Sequence, residues 1–158
     1  MFYFLGVVNV KQKNGPQEIV GEMVVFLATR IHGLHVEKCG LLIFLADHFH
    51  FVRYGRSITC EPYYLWRLGN KYFPSSPTMF SILNSIPFDH QNNLNDFSES
   101  GFEIDAIGKI FTMRPANPYV FSESDIEAMT QIIKDYGKEN KDLFKQIDKI
   151  ESVKTCIR

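Results

Sequence analysis

The feature that most limits what this chain can fold into is the run from Val36 to Arg53, VEKCGLLIFLADHFHFVR. Its apolar part, Gly40 to Ala46, passes directly into Asp47, His48, Phe49, His50 and Phe51. A buried strand is much shorter, and a membrane span needs about 20 apolar residues. The run therefore suits a helix that is apolar on nearly all sides, placed at the centre of a domain with others packed around it. Tyr54-Gly55-Arg56 stops it, and Ser57-Ile58-Thr59 opens an extended segment.

The elements on either side follow from periodicity. Residues 2 to 10 are aromatic and β-branched and read as a short strand, followed by a loop at Asn14-Gly15-Pro16. From Gln17 to Ile31, Ile19, Val20, Met23, Val24, Phe26, Leu27 and Ile31 recur at helical spacing, with Gly33 ending that helix. The short connection to the core helix makes the two antiparallel neighbours. Tyr63 to Leu68 has strand composition, Gly69-Asn70 breaks it, and Pro74 to Pro77 reads as a rigid loop. Pro77 suits the first turn of a short helix over 78–86.

The polar stretch 87–101, PFDHQNNLNDFSESG, reads as a surface loop. Phe102 to Met113 suits one or two short strands with a turn at Ala106 to Gly108, and Arg114 to Pro118 is loop. Ser122 is the clearest helix start: it is a good N-cap, and Asp125 three residues on forms a capping box with the shorter acid. Ile126, Met129, Ile132, Ile133 and Tyr136 line one face of that helix, which Gly137 stops. A last amphipathic segment over 141–153 carries Leu143, Phe144, Ile147 and Ile150. The expected class is α+β, mainly α, with a small antiparallel sheet. At 158 residues the chain suits a single domain, 1–158, around one core.

A formal net charge of −1 argues against a general polyanion binder. DNA binding is further disfavoured because the long helix is too apolar to lie in a groove. Fourteen Phe and seven Tyr fit a well-filled core or a protein-binding surface. Three dispersed cysteines without a CxxC suggest reduced thiols and a cytoplasmic setting. The apolar N-terminus has no basic region before it and no small-residue cleavage site, so a strand is expected there rather than a signal peptide.

Candidate chemistry is sparse. Asp47 and His50 share a helix face at i, i+3 and, with His48, could serve a metal-dependent hydrolase. The alternative is that Asp47 hydrogen-bonds locally and the histidines fill a polar corner. No HExxH, CxxC, nucleophile elbow, phosphate loop or dinucleotide fingerprint is present, and no cofactor is expected. Cys39, in the apolar run, is expected to be buried, and Cys60, in a turn, to be accessible. Arg56 stands beside Arg53 after the sharp exit at Gly55, where a guanidinium could clamp a carboxylate or phosphate. Alternatively it ties its loop to Asp47 or Glu61.

LLIFLADHFHFVRYGRSIT followed by Tyr63 resembles the pattern KLLYxADxxHLxxYGRPITGDxY of the Panacea domain, the SocA-like antitoxin family of bacterial and phage genomes. The matching residues are Leu41, Leu42, Ala46, Asp47, His50, Tyr54, Gly55, Arg56, Ile58, Thr59, Tyr63 and Gly69. A second block, Phe121-Ser122-Glu123-Ser124-Asp125-Ile126-Glu127 through Tyr136-Gly137, resembles the family's late helix LSESDIExLxxVIxKYG. Ser57 stands in place of the family proline, Cys60-Glu61-Pro62 in place of Gly-Asp-X, and the family's GPVP segment is blurred. Residues 1–16 look like an N-terminal addition.

The resemblance implies a non-enzymatic antitoxin that neutralises a toxin encoded beside it by binding it directly. It also implies that Asp47, His50, Tyr54, Gly55, Arg56, Thr59 and Tyr63 form a signature loop or partner-binding site. The rival within the same fold is a phage-associated interaction protein with another partner.

Overall fold

The computed structural model describes residues 15–68, 71–84, 101–138 and 143–150. The expected strand over 2–10 and most of the expected loop over 87–101 lie outside them. Pro16 opens helix α1 (Pro16–Arg30), where a missing N–H costs nothing. Nine consecutive residues, Ile19 to Leu27, are buried. The sequence suggests one apolar face; the structure instead covers this stretch on all sides, Glu22 included. Gly33, at φ 68°, shapes the turn after α1 and does not cap it, because the helix has already ended at Arg30.

Helix α2 (Val36–Tyr54) is the expected core helix, and Cys39 to Asp47 are buried without interruption. Such a run covers more than two turns, so every face of the helix is enclosed. It ends at Gly55, whose left-handed φ of 79° lets its N–H reach the Phe51 carbonyl at 2.8 Å.

Strand β1 (Tyr64–Leu68) pairs antiparallel with β2 (Lys71–Ser75), with Trp66 opposite Phe73. Pro74 and Ser75, expected in a loop, therefore belong to a strand. Pairing with β1 overrides their turn propensity, and an edge strand tolerates a proline. Helix α3 (Pro77–Asn84) follows, with Phe80 stacked on Trp66 at 3.7 Å between ring centroids.

A second hairpin joins β3 (Phe102–Ile104) to β4 (Ile110–Thr112). Phe102, Ile104 and Ile110 point into the core while Glu103 and Phe111 face outward, as period-two alternation requires. Its turn is tied to the α1–α2 connection: the Val36 N–H donates to the Gly108 carbonyl and the Ile110 N–H to the Leu34 carbonyl. A single 3-10 turn (Pro118–Val120) leads to α4 (Glu123–Tyr136), and α5 (Leu143–Asp148) ends the described chain.

The architecture is α+β and mainly α, with its antiparallel β structure divided between two hairpins. Helix α2 touches α1, α3, α4, α5 and β2, so the other elements are arranged around it. Among the described residues, no helix is long and apolar enough to cross a membrane.

Candidate functional site

The polar residues at the end of α2 build a network that locks three parts of the chain together. Asp47 is fully buried. The Ile58 and Thr59 N–H groups donate to its Oδ1 at 2.8 and 3.1 Å. The Thr59 hydroxyl and Tyr63 phenol donate to Oδ2 at 2.5 and 2.6 Å. Four donors thus converge on one carboxylate and fold the segment after Gly55 back against the helix. Burial pushes the Asp47 carboxyl up to about 6 despite those hydrogen bonds, which pull the other way.

One turn later, His50 is also fully buried. Its Nδ1 lies 2.6 Å from the Arg56 carbonyl oxygen, which can only accept, so Nδ1 carries the proton. In the neutral ring Nε2 is then an acceptor, and the Ser124 hydroxyl at 2.8 Å donates to it. Ser124 in turn accepts from Ser122 at 3.0 Å, and Ser122 accepts from Arg56 Nη2 at 3.1 Å. The result is a closed ring: Arg56 side chain to Ser122, to Ser124, to His50, and back to the Arg56 main chain. Burial lowers the His50 pKa, and this outweighs the nearby Asp125 carboxylate, so the ring persists with His50 neutral.

Asp125 completes the site from α4. Its Oδ1 accepts from Arg56 Nη2 at 3.0 Å and lies 3.2 Å from His50 Nε2. Its Oδ2 accepts from the Ser122 N–H at 2.9 Å, while Ser122 Oγ accepts from the Asp125 N–H. The expected capping box is therefore present, and it also aims Asp125 at Arg56. Arg56 does clamp a carboxylate. That carboxylate is neither Asp47 nor Glu61 but Asp125, with a third donation from Nη1 to the Ser57 carbonyl. Farther out, the Tyr54 phenol donates to Glu127 and Arg53 pairs with it; these side chains are exposed, and such pairs contribute little.

The seven positions singled out from sequence thus divide by depth. Asp47, His50, Thr59 and Tyr63 are buried and committed to internal hydrogen bonds, whereas Tyr54, Gly55 and the edge of Arg56 reach solvent. His48 stacks on Phe44, and among the described residues no three acids, histidines or cysteines are gathered where they could hold a metal. Burial pushes the Cys39 and Cys60 thiols up, the wrong direction for nucleophiles. Cys60 is partly covered rather than freely accessible and adopts φ 54°, the left-handed region. This is the position where the Panacea pattern carries glycine, and the backbone shows why glycine suits it. Ser57 Oγ, in place of the proline, accepts from the Cys60 N–H at 2.9 Å and closes the same turn.

Sequence reasoning missed a second ion pair, a buried Glu22 met by an exposed Arg114. Arg114 donates two hydrogen bonds to Glu22 at 2.8 and 2.7 Å, and the Asn117 N–H adds a third at 2.7 Å. Burial raises the Glu22 carboxyl, but these donors and the guanidinium charge together hold it below its ordinary value. The signal was a single acid inside the apolar run IVGEMVVFL. Gly101 makes room for the pair, since a Cβ there would lie 2.8 Å from the Arg114 guanidinium.

These features define a helical scaffold whose polar residues brace it from within, around a buried central helix. A family model described as antitoxin SocA-like, Panacea domain matches residues 41–149. The chain belongs to that family. Both blocks of the resemblance fall inside the match, and the structure joins them: Arg56 and His50 of the first meet Ser122, Ser124 and Asp125 of the second. Comparison with curated proteins and with solved structures finds no match.

Proposed function

We propose that this protein is an antitoxin that neutralises a toxin encoded beside it by direct protein–protein binding. The observation that carries the reading is membership of the SocA-like Panacea family over residues 41–149. The site agrees with a binding role. Its acids, histidine and arginine are consumed in bracing the scaffold, and the buried ring keeps His50 in one tautomer. In this reading Asp47, His50, Thr59 and Tyr63 serve binding only through the fold, while Tyr54, Gly55 and the rim of Arg56 lie within a partner's reach.

Expression of the neighbouring open reading frame alone, then with this chain, tests the proposal. Growth arrest relieved by this chain, together with a complex that co-purifies, is the expected result. Absence of both toxicity and complex counts against it. A complex formed without any toxicity to relieve would favour an interaction protein of the same family with another partner.

A further inference from the structure

Four of the six large hydrophobic side chains exposed among the described residues lie between positions 107 and 119. They are Ile107, Phe111, Met113 and Tyr119, the last 91% exposed. The segment that carries them is firmly held. Arg114 is fixed in its middle by the two hydrogen bonds to buried Glu22, and Asn117 by a third to the same carboxylate. Apolar side chains kept in water on a segment already held by hydrogen bonds need little further ordering when a partner covers them, which favours association.

Beside this segment lies a groove of about 480 Å³ between the end of α1, residues 115–121 and the start of α4. Phe26 and Phe121 meet edge to face in its wall at 6.1 Å between centroids. Pro115, Ala116, Pro118 and Ile126 supply more of its apolar lining. The volume suits one large apolar side chain with its neighbours. Arg30 sits at its edge, its guanidinium 3.6 Å above the Phe26 ring. Lys109 similarly overlies Phe111 at 5.2 Å. Neither cation has a carboxylate partner among the described residues, and no acid lines the groove.

We infer that this groove is where the chain docks its protein partner, and that the partner contributes an acidic segment with one large apolar anchor. The anchor enters between Phe26, Phe121 and Ile126, its flanking carboxylates meet Arg30, and Tyr119 and Met113 cover the adjoining chain. Aromatic and arginine side chains around an apolar pocket are the usual seat of binding energy at such interfaces. The inference rests on the antitoxin reading for the partner's being a protein, and it places the main contact away from the signature loop.

The test uses the full chain in two arms. In the first, affinity for the neighbouring gene product is measured for Arg30→Glu, Ala116→Trp (which fills the groove) and Tyr119→Ala, with thermal midpoints confirming that each folds. A loss of at least about tenfold for Arg30→Glu and Ala116→Trp supports the inference. Wild-type affinity in both overturns it while leaving the antitoxin reading intact.

In the second arm, a blocked peptide Asp-Glu-Phe-Leu-Glu-Asp is titrated into 15N-labelled protein, beside a counterpart with lysine replacing each acid. This arm decides the matter if the neighbouring product does not bind, the result that removes the antitoxin reading. Shifts clustered at Thr29, Arg30, Ala116 and Phe121 with the acidic peptide alone support the groove. No shifts, or equal shifts with both peptides, overturn it.

Discussion

Replacing Asp47 with asparagine separates two opposing effects that meet at one buried carboxylate. Four donors favour the anion, and complete burial disfavours it. Burial prevails, lifting the carboxyl from 3.8 to about 6. Between those values the folded protein holds a proton that the unfolded chain has released. Stability from this group is therefore greatest in acid and declines as pH rises through 6. The gap corresponds to about 3 kcal/mol in full, and to about 2–3 kcal/mol between pH 4 and pH 7.5.

Asparagine keeps the geometry. Its Oδ1 still accepts from the Ile58 and Thr59 N–H groups, and its amide donates to the Thr59 and Tyr63 oxygens once those hydroxyls rotate. The assay is urea unfolding of both proteins from pH 4 to 7.5. His50, Glu22 and Glu61 titrate in both, so their contributions largely cancel in the difference. The wild type should lose about 2–3 kcal/mol relative to Asp47→Asn as pH rises. A difference that stays flat, or that rises with pH, would refute the reasoning, since it would mean the four donors outweigh burial. Asp47→Ala, which orphans two buried N–H groups, should cost about 2–6 kcal/mol throughout.

Further outcomes can be checked in the same way. In a double-mutant cycle on Arg56→Ala and Asp125→Ala, chemical denaturation should show a coupling of about 1–3 kcal/mol, because the pair is largely buried and joins α2 to α4. Ser124→Ala removes the donor to His50 Nε2 and leaves that nitrogen facing Asp125, so the imidazole should titrate at higher pH by NMR and stability should fall by about 1 kcal/mol. Arg114→Ala removes two charge-assisted hydrogen bonds from buried Glu22, which keeps the Asn117 N–H; because Arg114 itself is exposed to solvent, the cost should be about 1–3 kcal/mol by thermal or urea unfolding, and Gly101→Ala should destabilise in the same assay through its φ of 87° and its clash with Arg114. Cys60→Gly relieves a left-handed cysteine and should leave stability unchanged or raise it by up to about 1 kcal/mol.

Much of this architecture is written locally. The run from Val36 to Arg53, apolar at its centre and as a whole too long for a strand, suits the central helix, and Gly55 could stop it because glycine accepts a positive φ cheaply. The Ser122–Asp125 box and the period-two alternation of Phe102, Glu103 and Ile104 are likewise relations between residues a few positions apart. Such patterns act through neighbouring backbone geometry, so they can be read before any tertiary contact is known.

What only the tertiary structure decided is which polar groups meet. Arg56 has Asp47 and Glu61 close by in sequence, yet its carboxylate partner lies 69 residues away. Arg114 reaches Glu22 across 92 residues. Pro74 and Ser75 become strand because β1 is beside them, against their own preference. A buried charge takes whichever partner the packing of helices delivers, because leaving it unpaired in a low-dielectric interior costs more than any local preference can offset.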